Sequence, residues 1–175
     1  MNKLFFLVGL VFASSSTAAV SPHPSLGKEA AACSANESGP ALMLAVEGLK
    51  DRKGLLRVEL YPATEADFLA PDFKLVNAGK TFGRVDIEPI PAGVVNICVK
   101  VPRPGRFALS VLHDRDRNLK LGIWGDGAGF PNTLRLGRTK PSVAMGTVLA
   151  GAGLTKVGIR MQYLRGFGFS PLPTK

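Results

Sequence analysis

A chain of 175 residues with 46% apolar and 20% charged side chains is long enough for one globular domain and too apolar for a disordered tail. Its 22 Lys and Arg against 13 Asp and Glu give a formal net charge of +9. The bases stand singly among strand-like residues, as Arg57, Arg84, Lys100, Lys156 and Arg160 do, which argues for a solvated basic surface and against a nucleic-acid stripe.

The N-terminus opens with Lys3 and the apolar run LFFLVGLVFA (4–13), followed by small residues with plausible cleavage around Ala18 or Ala19. This is the pattern of a secretory signal peptide over 1–19. The run is about half of the ~20 residues that a membrane-spanning helix needs. The expected location is therefore periplasmic or secreted, with no transmembrane segment in the mature chain. Residues 20–40 lack periodicity and read as a flexible lead-in. Two cysteines, Cys33 and Cys98, in an exported chain predict one disulfide.

From residue 41 onward, apolar and polar residues alternate. Leu42, Leu44 and Val46 share one face, as do Leu56, Val58 and Leu60, with Arg57 and Glu59 opposite. Val85 and Ile87, then Val95, Ile97 and Val99, then Phe107, Leu109 and Val111 continue the pattern. VAMGTVLA (143–150) reads as a weaker strand, and Val157, Ile159, Met161 and Tyr163 align on a last one. Between them, Glu65 to Leu75 has room for a helical turn that Pro71 limits. The expectation is all-β: a single antiparallel β-sandwich of about seven strands over 41–164, immunoglobulin-like or transthyretin-like. Residues 165–175 read as a mobile C-terminal tail in which Phe167 and Phe169 add an apolar contact.

The segment LSVLHDRDRNLKLGIWGDGAGFPN (109–132) carries the chemistry. Asp114, Asp116 and Asn118 place oxygen ligands at alternate positions, with Asp126 further on, as calcium loops do. Leu119 and Gly125 stand where the helix-loop-helix calcium pattern asks for glycine and glutamate. Arg115, Arg117 and Lys120 leave the loop formally neutral, so the leading reading is a turn in which Asp and Asn cap backbone amides. A weak calcium site is the second.

Adjacent strand residues face opposite ways, so His113 and Asp114 cannot pair as base and orienter. The other histidine, His23, lies in the lead-in, which argues against a His-built zinc centre. No Gly-x-Ser-x-Gly elbow occurs, and GDGAG (125–129) lacks the lysine and helix of a phosphate loop. Trp124 either plugs the open end of the sandwich, as a lone tryptophan more often does, or stands exposed as a stacking platform. His113, Trp124 and Phe130 are the candidate ligand-binding residues.

Pro104, Gly105, Phe107, Ala108, His113 and Asp114, then Asp116 and Asn118, then Gly129, Phe130 and Asn132 form a specific series. With Gly48-Leu49 and the glycine-led strand from Gly54 to Tyr61, it resembles the bacterial envelope family called domain of unknown function 2141, over roughly residues 41–164. Phe107 stands where that family usually has tyrosine, Leu119 where it often has glycine, and Gly122 near its loop-closing acid. The resemblance implies an exported β-sandwich without a known activity. The expected function is a non-catalytic binding or scaffolding module of the cell envelope, with an envelope protein or glycan as partner. A calcium-binding module and a hydrolase with an unrecognised site are the alternatives.

Overall fold

The alternating segments pair into two sheets with one apolar layer between them. The computed structural model describes Cys33 and residues 39–133 and 135–173. The proposed leader, and the lead-in apart from Cys33, Gly39 and Pro40, lie outside those residues.

The strands are β1 (Ala41–Glu47), β2 (Leu55–Pro62), β3 (Gly83–Ile87), β4 (Val95–Lys100), β5 (Gly105–Asp114), β6 (Gly127–Gly129), β7 (Thr147–Ala150), β8 (Leu154–Arg160), β9 (Gln162–Arg165) and β10 (Gly168–Pro171). The small sheet has the order β4-β1-β8. The large sheet runs β10-β9-β6-β5-β2-β3, and β7 pairs with the first half of β5. Leu42, Leu44, Val46, Ile97, Val99 and Ile159 from the small sheet meet Leu56, Val58, Leu60, Phe107, Leu109 and Val111 from the large one. These are the faces that the alternation predicts. The fold is an all-β sandwich.

Several segments depart from the expectation, each for a local reason. Pro71 starts a helix instead of limiting one: α1 (Asp72–Asn77) follows it directly, where a missing N–H costs nothing. The first half of VAMGTVLA forms α2 (Val143–Gly146), and only its second half is strand. The last expected strand is two, because the chain leaves the small sheet after Arg160 and enters the large sheet at Gln162. Met161, between them, is fully buried. The expected tail is ordered as β10, which pairs antiparallel with β9. The sandwich therefore extends past residue 164 and holds ten strands among the described residues.

GAG (127–129) is a central strand rather than a turn. A Cβ on Gly127 would lie 2.5 Å from the Tyr163 ring, and one on Gly129 would lie 2.7 Å from Ile159. Only glycine lets this short strand pass beneath those side chains.

The outer face of the large sheet is not an open polar surface. Arg57 is only 8% exposed, and its guanidinium donates twice to Asp86, each bond 2.8 Å. A second apolar cluster of Tyr61, Phe68, Leu75, Ala128, Phe130 and Phe169 covers part of this face. The Cys33–Cys98 disulfide forms, with Cα atoms 5.9 Å apart. No helix among the described residues is long and apolar enough to cross a membrane.

Candidate functional site

β5 ends in His113 and Asp114, whose side chains leave on opposite faces as strand geometry requires. His113 faces inward and has no solvent exposure. Its Nε2 lies 2.8 Å from the Lys53 carbonyl, which can only accept, so Nε2 carries the proton. Nδ1 then accepts from the Tyr163 hydroxyl at 2.7 Å, and that hydroxyl accepts from the Lys50 amide at 2.9 Å. Burial pushes the imidazole pKa down and the Tyr163 pKa up to about 12. Asp51, 3.8 Å from His113 Nε2, is bound by the Arg115 guanidinium, and that hydrogen bond holds its pKa down to about 2. His113 thus pins the connection from β1 to β2, which crosses between the sheets, to β5 and β9.

On the other face, the loop after β5 is built by carboxylates. Asp114 accepts the amides of Asn118 at 3.2 Å and Leu119 at 2.8 Å. Asp116 accepts the amide and the side-chain nitrogen of Asn118, whose own oxygen accepts the Lys120 amide. Asp126 reaches back to the amides of Arg115 at 2.8 Å and Gly122 at 2.7 Å. The segment is a capped turn in this respect, with Arg117 and Leu119 held at positive φ of 61° and 65°. Glycine would take the backbone conformation of Leu119 without strain.

The same folding brings oxygens of Asp114, Asp116 and Asp126 within 4.8 Å of one another. The formal neutrality of the loop is misleading as local electrostatics. Arg115 is drawn to Asp51, and Arg117 pairs with Glu88. Both partners lie outside the loop. Of its three bases, only Lys120 has no carboxylate partner among the described residues.

Beside the loop lies a groove of about 910 Å³ over the outer face of the large sheet. Arg57, Glu59, Tyr61, Ser110 and Ala128 line its floor. Residues 119–121, 123 and 124 form one wall, with further lining from 69–72, 136–141 and residues 164, 166, 167 and 169. Leu119, Leu121, Ile123, Trp124 and Phe167 all line it and are 45–88% exposed. Trp124, at 84%, does not plug the sandwich; Met161 and Tyr163 fill the interior near β6 instead.

The candidate ligand residues therefore separate. Trp124 and Phe130 line the groove, whereas His113 lies buried beneath the sheet. Of the four candidate metal ligands, the three aspartates converge, and Asn118 spends its side chain on Asp116 and the Lys120 amide. Asp51, Arg115 and Tyr163 give no local signal, because the partners that join them into the site are 50 to 113 residues away. Leu119, Leu121 and Ile123 alternate in a segment that joins no strand, and they line the groove.

Residues 44–156, well over half of the chain, match the family model described as "Uncharacterized protein conserved in bacteria (DUF2141)". The chain belongs to this family. No curated protein and no solved structure matches it. The matched DUF2141 region contains the carboxylate loop and Trp124, and ends before β9, which carries Tyr163, and before the turn to β10, which carries Phe167.

Proposed function

We propose that this DUF2141 protein is a non-catalytic binding module of the cell envelope that holds an apolar ligand in the groove on the outer face of its large sheet. One observation carries the reading: five large apolar side chains stand exposed around a single concavity of about 910 Å³. Scattered apolar residues are normal on a surface, but a contiguous exposed set lining a cavity of ligand size marks a binding site. The leader-like N-terminus and the Cys33–Cys98 disulfide support placement in an oxidising envelope compartment. The buried His113, with both ring nitrogens engaged, supports a structural role for the best base in the sequence. Neither the hydrolase reading nor a glycan partner has an observation of this kind behind it.

Titration with the neutral apolar fluorophore N-phenyl-1-naphthylamine tests the reading. Saturable one-to-one enhancement is expected, weakened by about tenfold in Trp124→Ala and again in Phe167→Ala, as central aromatic anchors of a site are. A folded protein that leaves the fluorophore dark overturns it.

A second reading rests on the converging carboxylates: the loop takes a calcium ion that stiffens the wall carrying Trp124. Calorimetry of the wild type should then show binding below about millimolar, the range of extracellular modules, and Asp116→Asn should abolish it. A calorimetric trace without heat leaves the loop as a capped turn.

A further inference from the structure

The groove has a sign as well as a shape. Its lining includes five bases, Arg57, Arg84, Lys120, Arg138 and Lys140, against two acids, Glu59 and Asp72. Both acids are already engaged, since Arg84 bridges Glu59 and Asp72 at 2.6 and 2.9 Å and Tyr61 also bonds Glu59. Lys120, Arg138 and Lys140 are exposed and have no carboxylate partner among the described residues.

The floor is different. Arg57 is consumed by Asp86, and Tyr61 is hydrogen bonded to Glu59 and Ser110. Every buried side-chain nitrogen or oxygen among the described residues has a partner. With these bonds already made, the floor offers the hydroxyls of a sugar or the amides of a peptide less than an uncommitted polar floor would, whereas a methylene chain asks for none. The volume also lies in the range of about 300–1,000 Å³ typical of small-molecule sites, rather than describing a flat macromolecular face.

Resting on the binding reading above, we infer that the occupant is a single-chain anionic amphiphile of the fatty-acid type. Its acyl chain lies along Leu121, Ile123, Trp124 and Phe167, and its carboxylate is met by Lys120, Arg138 and Lys140.

Displacement of bound N-phenyl-1-naphthylamine by two amphiphiles of equal chain length and opposite charge decides this, with the environment of the sole tryptophan, Trp124, as a second readout. Dodecanoate should displace the fluorophore at a concentration about tenfold lower than dodecyltrimethylammonium. The preference should fade as salt approaches about 1 M, where the screening length is about 3 Å. The surface variant Arg138→Glu with Lys140→Glu should abolish or invert it while still binding the neutral fluorophore. Equal displacement by both amphiphiles overturns the anionic assignment and leaves the apolar groove standing. Displacement by an acidic, leucine-containing peptide but not by dodecanoate overturns it in favour of a protein partner. Concentration-dependent dimerisation that buries Trp124 overturns it in favour of a second copy. No binding of the neutral fluorophore removes the groove reading itself.

Discussion

Protonating His113 would place a charge where no water reaches, with its Nδ1 turned from acceptor to donor against the Tyr163 hydroxyl. Its folded pKa therefore lies below the ordinary value of 6.5, and between those two pKa values the unfolded chain binds the extra proton. Stability should be full above about pH 6.5 and fall as the solution is acidified below it, levelling off once the folded imidazole also protonates. Asp51 contributes separately and later: with its pKa lowered from 3.8 to about 2, its share is lost only as pH falls through that lower window. Urea unfolding at pH 7.5 and 5 should show the first loss, and His113→Gln should flatten it. Gly54 illustrates a steric constraint at the same scale. It sits at φ 72°, and a Cβ there would stand 1.9 Å from the Asp114 carbonyl oxygen. Gly54→Ala should cost about 2–4 kcal/mol, read from the same unfolding curves, because a left-handed alanine and a backbone collision act together.

At the scale of elements, β10 shows how a segment that reads as a tail becomes structural. Phe169 is buried in the cluster on the outer face of the large sheet, and its backbone exchanges hydrogen bonds of 2.8 and 3.1 Å with Gly137. Phe169→Ala should lower stability by about 3 kcal/mol and weaken fluorophore binding, since it loosens both the hairpin and the groove. Glycine and proline in GFSP hid this strand from any propensity argument, and only tertiary packing rescues it. The long alternating runs were legible for the opposite reason. In β1, β2, β4 and β5 the inward residues named by alternation are all buried in the interlayer core. The break at Met161 was not legible, because the alternation from Val157 to Tyr163 continues unbroken while the strand changes sheets. The carboxylates of the 114–126 loop could be found from spacing alone. The groove could not: its walls come from segments up to about one hundred residues apart, and exposure is a property of the assembled surface.

For the molecule as a whole, Cys98 lies on the face of β4 turned away from the interlayer core, and its bridge ties Cys33 to the small sheet. The cysteines are 65 residues apart, a long loop in the unfolded chain. The double variant Cys33→Ser with Cys98→Ser should therefore lose about 2–4 kcal/mol in urea unfolding, with the fluorophore site retained under native conditions. The pairing of β1 has a different reach. On one edge β1 meets β4, but on the other it runs parallel to β8, with Ala41 opposite Leu154. A chain growing from its N-terminus makes β1 early and cannot complete the small sheet until about residue 160 has emerged. β8 then passes straight into β9 to seal the large sheet as well. Folding of the sandwich accordingly waits for the segment that carries β8 and β9 and is slowed by its dependence on distant partners. A polypeptide delivered end-first through a narrow channel would arrive still threadable, and would close only on the far side.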